Sequence, residues 1–359
     1  MKNAFTTIFG AALATFSMGY AAHNDNQYDS TTQPQTQVTR DVTPSAGPRV
    51  ENGADVVITA DFIYWQATES GLSYAFNFVN SDGTTAPQGT THNPKFTFNP
   101  GFKVGLGLQL GHDGWDTIAM YTWYNSSDST DQTVSSDTID YTTDITSQSK
   151  IGGALLSYDQ IIASASTRWG MRYNDIDFEI GRNYFISQYL TLRPFSGLKA
   201  AWINQDLHTP YFMENGDNYT VDQNQRTFGI GLRTGMNGAW EFCRNFSLYG
   251  NTAFSVLSSR FKNAYTETDY IPVGADPVIY TNLNSVVNTI QPVIELGMGL
   301  SYDYWFNDDM YHFGISAGWE MQYWNNMNHF FGYATNSELV SRTGDLSIQG
   351  LDVKVRFDF

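Results

Sequence analysis

The stretch Leu346-Ser347-Ile348-Gln349-Gly350-Leu351-Asp352-Val353-Lys354-Val355-Arg356-Phe357-Asp358-Phe359 alternates with a period of two and stops on an aromatic side chain. Successive side chains of a strand point to opposite faces. Leu351, Val353, Val355, Phe357 and Phe359 therefore share one face, and Gly350, Asp352, Lys354, Arg356 and Asp358 share the other. One face is wholly apolar and the other carries charge of both signs. An edge strand of a soluble sandwich has no need of that contrast. A transmembrane barrel strand does, because its outer face meets lipid and its inner face meets water or a polar plug.

The same alternation recurs upstream. Phe313, Ile315, Ala317, Trp319 and Met321 oppose His312, Gly314, Ser316 and Glu320. Ile294, Leu296, Met298, Leu300 and Tyr302 oppose Glu295, Gly297, Gly299, Ser301 and Asp303. Phe228, Ile230, Leu232 and Met236 oppose Gly229, Gly231, Arg233 and Gly235, and the return runs through Phe246, Leu248, Phe254 and Val256. Trp169 to Tyr184 turns at Ser187-Gln188 into Leu190 to Ile203. Phe102, Val104, Leu106, Leu108 and Leu110 oppose Lys103, Gly105, Gly107 and Gln109, with a turn at His112-Asp113-Gly114 into Trp115 to Tyr124. Trp115, Tyr121, Trp123 and Tyr124 are placed as an interfacial girdle. The first strand starts near Ala54, with Val56, Ile58, Ala60, Phe62 and Tyr64 on one side and Thr59 and Asp61 on the other, and continues irregularly through Leu72, Tyr74, Phe76 and Phe78.

Short turns alternate with long polar connections, which the composition places at Asn80–Pro94, Asn125–Lys150, Asn204–Gln225, Lys262–Asn284 and Asn325–Gly344. Counting back from a periplasmic C-terminus gives ten crossings, with each short turn periplasmic and each long loop outside. Further hairpins within Gly71–Phe78 and Ile151–Ser166 would raise the number. The expected fold is all-β: a transmembrane antiparallel up-and-down β-barrel of ten to twelve strands over residues 51–359.

Ahead of it, residues 1–21 read as a signal peptide, with Lys2, an apolar run from Phe5 to Phe16 and the small-x-small site Gly19-Tyr20-Ala21. That run is shorter than the ~20 residues a spanning helix needs. Residues 22–50 hold almost no large apolar side chain and are expected to form a disordered periplasmic leader. Charged residues make up 15% of the sequence, against ~25% in soluble domains, while aromatics reach 15% and glycines number 31. A mean hydropathy of −0.34 with no long apolar run after the signal excludes a helical membrane protein. The net charge of −17 argues against nucleic acid as a partner.

Ala60-Asp61-Phe62-Ile63-Tyr64-Trp65, Pro100-Gly101-Phe102-Lys103-Val104-Gly105-Leu106-Gly107, Gly114-Trp115-Asp116, Tyr121-Thr122-Trp123 and the run Leu190 to Ile203 resemble the major outer membrane protein family of Legionella and of Chlamydia-related bacteria. The resemblance spans roughly Asp55 to Phe359, with the loops matching poorly. It implies a pore-forming outer-membrane barrel that is an abundant surface antigen and in some members a host-attachment factor, and it supplies no catalytic residue. The apolar face Leu351, Val353, Val355, Phe357 and Phe359 resembles the assembly signal of outer-membrane proteins, which implies the barrel-assembly machinery as a partner. Members often carry several cysteines for interchain crosslinks. This chain has only Cys243, a candidate for an intermolecular disulfide with a second copy or an envelope protein.

The residues expected to line the lumen are Asp61, Lys103, Gln109, Arg193, Lys199, Arg233, Glu295, Glu320, Asp352, Lys354 and Arg356. Charged side chains hold water and the glycines beside them leave room, so ions and small polar solutes would pass. In the competing arrangement the same acids and bases pair across a narrow barrel and close it. The inner-face glycines have a second reading too, as residues that relieve curvature. Three functions follow: a porin for ions and small polar solutes; a non-conducting adhesin or antigen binding host molecules through its loops; and a barrel hydrolase using His92, His208 or His329 with Asp206 or Glu214. No Gly-x-Ser-x-Gly elbow, His-Glu-x-x-His helix or Cys/His metal spacing is present, so no enzyme, cofactor or metal is expected. Outer-membrane lipid is the expected surrounding, with a homo-oligomer and a host surface ligand open as partners.

Overall fold

The computed structural model describes residues 56–79, 88–110, 114–126, 134–135, 143–147, 162–213, 216, 218–243, 245–270, 277–306, 311–333 and 339–359. The expected signal peptide and leader lie outside these residues, as do His112 and Asp113 of the expected turn before Trp115, and Ile151 to Ile161. Ten strands form the wall: β1 Val56–Glu69, β2 Phe98–Gln109, β3 Trp115–Ser126, β4 Arg168–Arg182, β5 Leu190–Met213, β6 Asn218–Cys243, β7 Phe246–Tyr270, β8 Val278–Phe306, β9 Tyr311–Asn328 and β10 Gly344–Asp358. Each pairs antiparallel with the next, and β10 pairs back onto β1 with Val353 opposite Phe62, so the sheet is closed. Closure leaves no edge within the lipid-facing band, where an unpaired backbone group would find neither water nor partner.

The alternation expected for β10 holds across the lipid-facing wall at the level of the charged residues. Leu106, Leu232 and Met298 point outward at 56%, 72% and 62% exposure, while the neighbouring Lys103, Arg233 and Glu295 point inward and are buried. Aromatics ring both rims of this apolar band. At the short-turn end Phe246 meets Tyr302 at 4.9 Å and Phe306 meets Tyr311 at 5.5 Å. At the other end Trp202 meets Phe228 at 5.3 Å and Phe102 meets Trp123 at 5.5 Å. Tyr124 does not belong to the outer ring: it faces the lumen, fully buried, and its hydroxyl donates to the Trp65 carbonyl at 2.8 Å.

The stretches expected as loops at Asn204–Gln225 and Lys262–Asn284 are largely strand. β5, β6, β7 and β8 run for 24, 26, 25 and 29 residues. At about 3.4 Å per residue and a tilt of ~40° they reach roughly 60–75 Å, against a lipid band of ~25 Å. Beyond the lipid the outer face no longer has to be apolar, so both faces of the projecting strands carry polar side chains and the period-two signal fades. One side of the barrel therefore stands as a tall wall. The expected continuation of β1 is also corrected: β1 stops at Glu69, Gly71 adopts a positive φ of 80°, and Leu72 and Tyr74 fold inward. Ala75–Val79 joins a separate small sheet with Gln88–His92 and Thr143–Ser147. Ile162–Ala165 adds to the upper edge of β5 rather than forming a further spanning hairpin.

Two of the inner-face glycines, Gly197 and Gly231, are explained by close approach. A Cβ on Gly197 would lie 1.8 Å from the Phe178 carbonyl oxygen, and one on Gly231 would lie 1.9 Å from that of Val256. These positions admit no side chain because the curved backbones nearly touch there.

Candidate functional site in the barrel lumen

Three layers fill the barrel. The first, at the short-turn end, is a cavity of about 730 Å³ lined by Gln109, Asn183, Asn251, Asp303, His312 and Arg356 among others. His312 bridges two carboxylates there, Nδ1 to Asp358 at 2.9 Å and Nε2 to Asp303 at 3.0 Å.

The second layer is a belt of ion pairs. Lys199 on β5 is completely buried, and its ammonium meets Asp175, Asp177 and Glu295, the last two at 3.0 Å. Arg233 meets Glu295 at 2.7 Å, Asp177 at 3.5 Å and Glu179. Arg193 meets Glu179 at 3.0 Å and Asp116. Across the lumen Lys103 meets Asp352 at 3.0 Å and Glu320, and Lys354 reaches Asp61 at 3.5 Å. All eleven residues assigned to the inner face from sequence do point inward, and ten of them border the cavity; Lys199 is sealed behind its carboxylates. Asp116, Asp175, Asp177 and Glu179 were not among them. Their signal was present, since Asp175, Asp177 and Glu179 alternate with Ile176, Phe178 and Ile180.

The third layer is apolar. Ile63 and Trp65 from β1, Tyr124 from β3, Trp169 and Tyr173 from β4, and Trp324 from β9 are all buried at its centre. β5, β7, β8 and β10 also contribute side chains to it. Trp65 packs on Tyr124 with centroids 5.8 Å apart, and Trp324 packs on Tyr173 at 5.9 Å. The segment after β9 closes over it. Rather than crossing outside, residues 327–331 turn into the mouth and bind the opposite wall through glutamines. Gln225 donates to the Met327 carbonyl and accepts from the His329 N–H, both at 2.8 Å. Gln223 accepts from the Phe331 N–H at 2.8 Å and donates to its carbonyl at 3.2 Å. The His329 ring stacks on Phe261 at 4.1 Å.

Gln225 thus satisfies two buried backbone groups of the inward segment. A Gln225→Leu chain is expected to lose about 1–3 kcal/mol of docking for each group left unpaired. Limited proteolysis would read this as faster cleavage between residues 329 and 342 while the barrel keeps its heat-modifiable mobility; an unchanged rate would place the hold elsewhere. Burial keeps the His329 imidazole below its ordinary value near 6.5, with the Met327 carbonyl pulling the other way. A depressed folded value means that the released state takes up the proton first. The docked segment is therefore fully held above pH ~6.5 and loosens as pH falls below it.

Among the described residues the other candidate histidines do not converge. His208 sits on the exposed outer surface with Nδ1 2.6 Å from Asp222, and Asp206 on the same surface faces Arg172 at 3.8 Å. His92 lies near Tyr74, with ring centroids 6.4 Å apart, and Glu214 lies outside the described residues. Cys243 ends β6 at the short-turn end with an exposed thiol.

Similar architecture occurs in solved structures. The outer membrane protease OmpT from Escherichia coli is 11% identical over 84% of this chain and 96% of its own, with a TM-score of 0.39. The Pseudomonas putida toluene transporter TodX is 9% identical over 86% and 91%, with a TM-score of 0.29. The translocator domain of the autotransporter NalP from Neisseria meningitidis is 11% identical over 86% and 90%, with a TM-score of 0.25. A search of curated protein sequences gave no match. The family model of the Legionella pneumophila major outer membrane protein precursor matches residues 47–359, the whole of the barrel just described. The chain belongs to that major outer membrane protein family.

Proposed function

We propose that this outer-membrane barrel is a gated porin, holding a polar compartment open toward the periplasm and closing it toward the outside with an apolar layer. The observation that carries the reading is the 730 Å³ cavity inside a ten-stranded wall. A barrel serving only as an anchor is most stable when its interior is filled, and buried charges cost desolvation that packed apolar side chains would avoid. A compartment lined by acids and bases, facing an apolar constriction, has the parts of a pore that closes by excluding water. In the belt, eight carboxylates (Asp61, Asp116, Asp175, Asp177, Glu179, Glu295, Glu320 and Asp352) face five cations (Lys103, Arg193, Lys199, Arg233 and Lys354). The excess of negative charge favours cations over anions.

Planar-bilayer recording of the refolded chain tests this. Brief, cation-selective openings at pH 7.5 that lengthen at pH 5.5 are expected, and His329→Phe, which keeps the stack on Phe261 but cannot take a proton, is expected to abolish the pH response. A folded, heat-modifiable barrel that never conducts at either pH sinks the porin reading. It would favour the second one, a non-conducting surface protein whose wall β5–β8 projects far beyond the lipid to meet a host ligand. The exposed, outward placement of His208 and Asp222, away from His329 inside the mouth, supports a non-enzymatic role in either case.

A further inference from the structure

The outer surface of the projecting wall carries a feature that neither a pore nor an adhesin requires. The chain is strongly acidic, yet five of its 19 lysines and arginines stand together on three of the four consecutive strands β4 to β7: Arg168 and Arg172 on β4, Arg226 on β6, and Arg260 and Lys262 on β7, all outward and exposed. Their height is set by the strand register. The row Asn174, Trp202, Phe228, Arg260 runs across β4 to β7 at the aromatic rim of the lipid band. The adjacent row farther from the short-turn end is Arg172, Asn204, Arg226, Lys262. The cations therefore begin where the apolar band ends.

Arg226 and Lys262 are directly opposite each other, with Arg260 one position along the same face. Like charges in that arrangement, at a Cβ separation of ~5 Å, repel and destabilise the strand pair. Arg172 has Asp206 beside it, 3.8 Å away. Among the described residues no carboxylate comes within ion-pairing distance of Arg226, Arg260 or Lys262. Three unneutralised cations around one spot break the local rule for a stable sheet, and such breaks mark sites where something else supplies the compensation. An anion with several oxygens, seated between the three, would accept from all of them.

We infer that Arg226, Arg260 and Lys262 bind the headgroup phosphate of an anionic glycolipid in the outer leaflet, its acyl chains lying along the apolar face below. Continuity with the lipid band argues for a lipid rather than a soluble anion. The phosphate of a lipid anchored beside Trp202 and Phe228 is held at this level, and its chains meet Phe228, Ile230 and Val256 on the same face.

The test uses the refolded full chain in mixed micelles containing diphosphoryl lipid A, the same lipid with its phosphates removed, or inorganic phosphate alone. Since each basic side chain at an anionic lipid surface contributes about fivefold, the Arg226→Gln/Arg260→Gln/Lys262→Gln chain is expected to bind the phosphorylated lipid about a hundredfold more weakly. Arg182→Gln, the same charge change at the opposite rim, should leave binding unaltered. The inference is overturned if the triple variant binds as the native chain does, if the dephosphorylated lipid binds equally well, or if inorganic phosphate alone binds as tightly as the lipid. Should the triple variant lose its heat-modifiable fold, single Arg226→Gln and Lys262→Gln chains decide: a loss of about fivefold each supports the site, and no loss rejects it.

Discussion

A Trp65→Ala/Trp324→Ala chain is expected to conduct at least about tenfold more than the native chain, the change that 1.4 kcal/mol off a barrier produces. The two indoles are completely buried in the apolar layer, on strands that flank β10. Each also stands between that layer and the charged belt, since the Lys103 ammonium lies 4.8 Å from the Trp65 ring and that of Lys199 lies 5.9 Å from the Trp324 ring. Truncation opens space next to charge, and space next to charge fills with water. Each replacement also costs about 3–5 kcal/mol of packing, so heat-modifiable mobility must be confirmed before recording. Native-like conductance from a folded variant would show that the indoles are not the barrier. An increase that keeps its cation preference would show that the belt still selects once the layer is breached.

Lys199→Met is expected to be among the most destabilising single changes in the wall. The ammonium is wholly buried and is shared by Asp175, Asp177 and Glu295. Methionine fills nearly the same volume, so the packing loss is small and the effect is electrostatic. Removing the cation leaves three carboxylates crowded together, with Arg233 the remaining cation in contact with two of them. Breaking a buried pair from one side costs about 3–5 kcal/mol, read as a fall in the urea midpoint of unfolding from micelles. The double change Lys199→Met/Asp175→Asn should recover part of the loss, because it withdraws one of the uncompensated charges. If the double variant is no more stable than the single, the three carboxylates do not act as a unit.

The lipid-spanning half of the barrel was legible because there the solvent differs on the two faces. From Leu351 to Phe359 and from Phe102 to Leu110, lipid outside and charge inside impose strict alternation, and the ten strands follow from counting such runs. Where that difference ends, so does the signal. The upper half of β6, with Asp222, Asn224 and Arg226 outside and Gln223 and Gln225 inside, is polar on both faces and reads as loop. The apolar layer is written in the opposite way. Ile63-Tyr64-Trp65 and Trp123-Tyr124 are consecutive apolar residues, and such runs mean that the inner face is apolar as well. The inward segment after β9 had no local signal, since its hold on the wall depends on Gln223 and Gln225, about a hundred residues away in sequence.

The pairing of β10 with β1 has a consequence for how the molecule comes into being. Every other wall contact joins neighbouring strands, so nine hairpin steps can proceed by local search. The last joins the two ends of the barrel sequence, Thr59 opposite Arg356 and Tyr64 opposite Leu351, at the largest sequence separation in the fold. Loop-closure entropy must be overcome before that contact contributes anything. Until Phe359 has been delivered, each partial sheet carries two raw edges able to pair with any strand nearby. Closure thus rests on the pair of strands that is hardest to bring together, and a wall without β10 would leave the facing edges of β1 and β9 without partners.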